Sequence, residues 1–337
     1  MVASIRACMN GSYPRGAGLA RLYSRYLSGK LSEDRFEEGI REYMKKLFNL
    51  LSDVGINVFT DGMLRWDDIY NPLIRFVDGV EVDGLVRFYD NNFFFRAPKV
   101  RGELSIKENP IPKWFSEALS VAEDVFGSRD SFMLKQPLPG PLTLAEASIN
   151  EYYRSYWSLL TDWRSKVLEP LIKELGKVGA KVVEIHEPSL VWGGTKKTRV
   201  VAGVKELGKL IKYCKSLGID VWVITYFGYL GRVGKYLSEL SEAVVGIDCF
   251  VKGAKKTPQR LVRDYGIKRV MLGAVDSRNT LMEKPKELSK LAKAVARVSG
   301  VEEVYVGNNA PMDFIPEVVA ARKLRRLGRV ISGLSKG

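Results

Sequence analysis

Histidine occurs once in 337 residues, at His186, and cysteine three times, at Cys8, Cys214 and Cys249. The cysteines are far apart and form no CxxC pair, so no disulfide framework can be drawn from them. No window approaches the roughly 18 uninterrupted apolar residues of a membrane span. The opening stretch "MVASIRACMNGSYPRG" has no apolar run of signal-peptide length. No GxGxxG follows any β-rich run, which argues against a dinucleotide-binding fold. The basic runs hold few aromatics for base stacking, and no helix-turn-helix, zinc-finger or RNP pattern occurs. The expectation is a cytoplasmic protein that touches neither membrane nor nucleic acid.

What the chain does have is apolar bulk and positive charge. Hydrophobic residues make up 46%, enough for a sizeable core. The length admits two ordinary domains or one large α/β barrel. The net charge is +14, densest in "KGAKKTPQRLVR" (252–263) and "RKLRRLGR" (322–329). Such runs read as solvated helix faces, or as attraction to an acidic protein or a polyanionic cofactor tail.

Short β-branched or aromatic runs recur eight times, at 4–9, 56–60, 132–136, 181–186, 220–227, 244–248, 269–274 and 303–307. Amphipathic segments lie between them. One, Ser32 to Gly55, starts at a Ser cap and ends at a Gly, as a helix should. Strand–helix alternation eight times over predicts a (β/α)8 barrel, one domain over 1–337. A long interruption at about 71–113, including "RFYDNNFFFRAPKVRGEL", reads as a small β excursion over the barrel mouth.

After the predicted strands come "NGSYPRG", "DGMLRWDD", "KQPLPGP", "HEPS", "YFGYLG", "DCF", "VDSRN" and "GNNAPMD". Each alone suits a βα turn. Together they suit the C-terminal strand ends, where barrels of this class build their active sites. In "KVVEIH", alternation turns Val183 and Ile185 toward the helices, and Glu184 and His186 into the barrel. His186 could then be a structural or ligand-contacting polar residue, a general base oriented by Glu187 or Asp248, or a metal ligand. Cys214, in the helix-like "LGKLIKYCKSLG", is too far from the mouth to help it bind metal.

The segments "NGSYPR" (10–15), "GINVFTDGMLRWDD" (55–68), "KQPLPGPLTL" (135–144) and "VEIHEPSLV" (183–191) resemble, in order and spacing, those of cobalamin-independent methionine synthases. The resemblance runs nearly end to end and implies the barrel type shared with uroporphyrinogen decarboxylases. That family joins two related barrels. One holds a zinc that activates homocysteine as its thiolate by lowering the thiol pKa. The other has no metal and helps hold the folate. "ITYFGYL" and "GAVDSRNT" (273–280) are similar to the metal-free barrel. Thr225 and Phe227, or their neighbours, stand where the resemblance puts a His and a Cys ligand. No counterpart of the late Cys ligand occurs near Asn308 to Met312. Met63 stands where a homocysteine-binding glutamate is expected, and His186 where an aspartate holds the substrate amine.

The resemblance implies a methionine synthase-like protein without zinc, acting as the donor-binding or partner subunit of a split enzyme. Its ligand would be a methylated pterin or related methyl donor, with no cofactor tightly bound. Zinc would be found only in a separate zinc-bearing methionine synthase core. A stand-alone corrinoid or pterin methyltransferase, a uroporphyrinogen decarboxylase-like enzyme, and a non-catalytic binding protein are the alternatives. From their places at strand ends, Arg15, Arg65, Lys135 and Arg278 are expected to line the mouth. Ser12, Tyr226, Asp248, Asp276 and Asn309 are the expected polar contacts. His186 and Glu187 are the candidate catalytic groups.

Overall fold

A computed structural model describes residues 3–254 and 257–334. Strand β1 (Ser4–Ala7) leads through helices α1 (Ala17–Leu27) and α2 (Glu33–Asp53) to β2 (Val58–Thr60). An antiparallel hairpin, β3 (Val77–Arg87) and β4 (Phe94–Ile106), precedes α3 (Ile111–Phe126). Next come β5 (Met133–Pro139), α4 (Pro141–Ala147), the two-residue β6 (Ile149–Asn150), α5 (Tyr156–Asp162) and α6 (Glu169–Lys177). They are followed by β7 (Val182–His186), α7 (Lys197–Ser216), β8 (Asp220–Ile224) and β9 (Val244–Asp248). The chain ends with α8 (Thr257–Tyr265), β10 (Arg269–Val275), α9 (Pro285–Ala296), β11 (Glu303–Asn308) and α10 (Glu317–Leu334). Among the described residues, no helix is long and apolar enough to cross a membrane.

Eight parallel strands lie side by side in the order β1–β11–β10–β9–β8–β7–β5–β2. A bridge between Cys8 and Val58 joins the two outer strands, with the Met9 N–H donating to the Val58 carbonyl at 2.9 Å. The sheet is therefore the expected (β/α)8 barrel. Its strands are buried on both faces because helices cover the outside and side chains fill the inside. All five residues of β7 and of β9 are buried.

The strand limits differ from the expected ones where turn geometry overrides composition. The fifth barrel strand stops at Ile224, not Phe227, because Phe227 takes φ 72° and turns the chain. The third barrel strand runs on to Pro139. Ser32 flanks α2, but its side chain makes no cap hydrogen bond. Gly55, just past that helix, takes the expected positive φ, 73°. The excursion is the β3–β4 hairpin, extended by β6 into a three-stranded sheet, and α3 already begins at Ile111.

Candidate functional site

The barrel interior holds a buried ion pair. Lys135 on β5 and Glu184 on β7 are both fully buried and bonded to each other, and the Lys135 Nζ also donates to Asn10 Oδ1 at 2.6 Å. Its ammonium sits 4.1 Å over the Trp222 ring on β8. Glu184 accepts the Gly11 N–H at 2.6 Å and faces His186 Nε2 at 2.8 Å. Burial alone would raise the Glu184 carboxyl, but Lys135 and His186 outweigh it and hold the group down at about 2. A carboxylate can only accept, so Nε2 is the donor in this contact. Nδ1 lies 3.3 Å from the Tyr226 hydroxyl, within hydrogen-bond reach. Both ring nitrogens of the only histidine therefore have protein partners. The orienting carboxylate is Glu184, not Glu187 or Asp248.

Glu187 turns the other way. It accepts the Leu142 and Thr143 N–H groups, at 3.1 and 2.6 Å, and the Thr143 hydroxyl, closing the start of α4. Gly140 lies so close that a side chain there would overlap this carboxylate. Burial pushes Glu187 up from 4.5 to about 8 despite those three donors. A carboxyl raised on folding adds stability that is complete below its unfolded pKa and is lost as pH climbs through the folded value. Glu187→Gln should therefore stay close to wild-type stability at pH 5 and become the more stable of the two as pH rises to about 9. Glu187→Ala leaves the donors orphaned and should cost about 1–3 kcal/mol. Urea melts of the three proteins at both pH values check this.

At the mouth, Asp248 ends β9 and accepts from Asn309 Nδ2 at 3.0 Å and the Phe250 N–H at 2.9 Å. Asn309 Oδ1 takes the Ser277 N–H at 2.9 Å. The Arg278 guanidinium lies 3.8 Å from Asp248 and 5.2 Å over the Phe227 ring. Above them the hairpin tip forms an aromatic cover. Phe88 and Tyr89 pack on Phe227 at 5.9 and 5.8 Å, and Phe93 packs on Phe314 at 4.6 Å. The Tyr89 hydroxyl bonds Ser189 at 2.7 Å, fastening the tip to the turn after β7. A cavity of about 100 Å³ remains beneath, lined by Ser12, Met63, Asp68, Phe88 and Phe314 among others. Ser12 Oγ is buried there without a hydrogen-bond partner.

Lys135, His186 and Tyr226 thus meet inside the barrel, while Asp248, Arg278 and Asn309 meet at its rim. Arg15 spans the first two strand ends, donating to the Trp66 carbonyl and lying 3.5 Å from Asp67. Two residues expected at the mouth are turned elsewhere. Arg65 is buried against Glu37 on α2 and Glu117 on α3, at 2.5 and 2.6 Å, because those helices carry the nearest carboxylates. Asp276 accepts the Arg278 N–H at 3.0 Å and lines a separate cavity of about 750 Å³ beside α9. Sequence reasoning assigned no role to Asn10, Glu184 or Thr143. The alternation that points His186 inward points Glu184 inward too, and a buried carboxylate needs a cation.

The chemistry open to this arrangement is binding and proton exchange. Thr225 donates to the Gly246 carbonyl at 2.8 Å, and Phe227 belongs to the cover, so neither position offers a zinc donor. Among the described residues, no group of three His, Cys, Asp or Glu side chains could hold a metal ion.

Comparison with known proteins gives one family match, described as "Cobalamin-independent synthase, N-terminal domain", over residues 65–300. The chain is 27% identical to the methionine synthase of Saccharolobus solfataricus over 317 residues, covering 93% of this chain and 90% of that protein. It is also 27% identical to the methionine synthase of Sulfurisphaera tokodaii over 318 residues, covering 93% and 88%. In three dimensions it is similar to a B12-independent methionine synthase from Shewanella sp. W3-18-1, solved in complex with selenomethionine. The TM-score is 0.79 at 19% identity, over 99% of this chain and 98% of the other. A putative vitamin-B12 independent methionine synthase from Listeria monocytogenes gives 0.75 at 17% identity, over 99% of each chain. The structural likenesses establish the fold.

Proposed function

Because the chain belongs to the cobalamin-independent methionine synthase N-terminal domain family, we propose that it serves methyl transfer to homocysteine as a zinc-less, donor-handling partner of a zinc-bearing methionine synthase barrel. The carrying observation is Phe227. Where the resemblance puts a metal ligand, this chain has an aromatic ring at the centre of the mouth cover, in contact with Phe88, Tyr89 and Phe314. A thiol without a metal stays mostly protonated near pH 7, since its unperturbed pKa is about 8.5. Activation of homocysteine then falls to the other chain.

The mouth suits a flat methylated heterocycle such as a pterin. Aromatic rings offer stacking faces, and Asp248, Arg278 and Asn309 offer acceptors and donors at the edge. The present cavity of about 100 Å³ is below the roughly 300–1,000 Å³ of small-molecule sites, so donor entry requires the hairpin tip to lift. A second reading, a stand-alone enzyme, is favoured by the Lys135–Glu184–His186–Tyr226 chain, whose members could pass a proton.

The test is co-expression with a zinc-bearing methionine synthase core from the same genome, then size exclusion, metal analysis and a methyl-transfer assay with a methylated pterin. Co-elution, zinc on the core only and a faster transfer are expected. Phe227→Ala should weaken donor binding roughly tenfold, as loss of an aromatic contact of about 1.5 kcal/mol implies. Separate elution at low salt with an unchanged core rate rules the partner reading out. Turnover by this chain alone would favour the second.

A further inference from the structure

Beyond its first turn, α10 carries Arg322, Lys323, Arg325, Arg326 and Arg329 and no carboxylate. Two of these cations are used inside the fold. Lys323 is buried against Glu283 and the Leu281 carbonyl, and Arg326 donates to the Glu283 carbonyl at 2.9 Å. Arg322, Arg325 and Arg329 are exposed and have no carboxylate partner among the described residues. Other helices pair cations locally: Arg35 with Glu38, Lys177 with Glu174, Lys209 with Glu206, Arg260 with Asp264.

The four arginines line a groove of about 560 Å³ between α10 and the start of α9, with Met282 and Val330 as its apolar part. Positions 322, 325, 326 and 329 fall on one helix face and span about 10 Å. Like charges so spaced repel one another, so the face gains from a counter-charge. Arginine forks match carboxylates in pairs, and a second helix repeats its side chains at the same three- and four-residue steps. The apolar part accommodates an aliphatic side chain between the carboxylates. No aromatic lines the groove, which disfavours a single nucleic acid strand.

We infer that the α9–α10 groove is the docking surface for an acidic amphipathic helix of another protein. The inference rests on the partner reading above and supplies that partner's contact on this chain. Interfaces of this charge type form fast and weaken with salt.

The probe is a synthetic helical peptide with Glu at i, i+4 and i+7 and one Leu between, followed by fluorescence anisotropy on the full chain. Binding should weaken between roughly 0.05 and 0.3 M salt. The triple variant Arg322→Ala, Arg325→Ala, Arg329→Ala should lose about tenfold or more in affinity. The Arg→Lys triple, which keeps the charge but not the fork, should fall between it and wild type. Arg21→Ala, Arg25→Ala, Lys30→Ala removes the same charge from another exposed surface and should change affinity less than about twofold. Thermal melts establish that each variant folds. Equal weakening by both alanine triples would overturn the groove, as would a polyuridine oligonucleotide that binds tighter than the peptide and depends on the same arginines. If the zinc-bearing core co-elutes with wild type and equally with the α10 triple, the groove is wrong and the partner reading stands. If the core never co-elutes but the peptide binds as expected, the partner reading falls and the groove stands.

Discussion

Glu184→Ala is expected to destabilise the protein by about 3–5 kcal/mol, because it leaves Lys135 charged, buried and deprived of its carboxylate. The Gly11 N–H and His186 lose an acceptor in the same step. Removing both charges together, as Lys135→Met with Glu184→Leu, should recover much of that loss, since no charge is then stranded. The acid limb carries the same signature. A carboxyl held at about 2 when folded and near 4.5 when unfolded contributes stability that is complete above 4.5. That contribution disappears as pH falls through about 2 and amounts to about 3 kcal/mol. Urea titrations at pH 7 and between pH 5 and 2 would show wild type losing more over the acid range than Glu184→Gln does. Parallel acid limbs for the two proteins would mean that the pair is not the ionised one described.

Gly273→Ala is expected to destabilise the barrel strongly for a single added methyl group. A β-carbon there would stand 2.5 Å from Asn309 Cα and 2.7 Å from the Ile247 carbonyl oxygen, both backbone atoms of adjoining strand ends. Neither can swing away as a side chain tip would. Overpacking of this kind typically costs 1–3 kcal/mol, and about 3 kcal/mol or more is expected here because β10 is held between two neighbours. The displaced Asn309 would also loosen its grip on Asp248 and Ser277. The check is a melting curve. Ala at Gly29, where nothing lies within 4 Å, serves as a milder control carrying only the strain of a positive φ.

The barrel was legible because each strand is short, β-branched or aromatic, and followed by polar, Gly- or Pro-rich residues. The interruption at about 71–113 was legible as a β excursion, but not as the hairpin of β3 and β4 with β6 added at its edge. Pairings across long sequence gaps were not. Arg65 sits at a strand end, so its neighbours in sequence point to the mouth, yet Glu37 and Glu117 draw it outward from 28 and 52 positions away. Glu184 was placed inside the barrel by alternation, but Lys135, 49 positions earlier, cannot be chosen as its partner until β5 and β7 are known to lie side by side. Ser32 has the residue type and the extended backbone of a cap, yet its hydroxyl makes no cap hydrogen bond, which local sequence does not determine.

The seam between the first and last strands sets a timetable for synthesis. β1 forms its ladder with β11, from Ser4 opposite Glu303 to Ala7 opposite Val306, and touches β2 only through the Cys8–Val58 bridge. Arg6 and its partner Glu303 are 297 positions apart. At ribosomal speeds of roughly 5–20 residues per second, the first strand waits about 15–60 s for its neighbour to be translated. During that wait its unpaired edge is open to wrong partners, a hazard that four residues and the charge on Arg6 keep small. Barrel closure therefore comes after nearly all of the chain has left the ribosome, and a nascent chain cut short of residue 303 keeps a first strand with nothing to complete it.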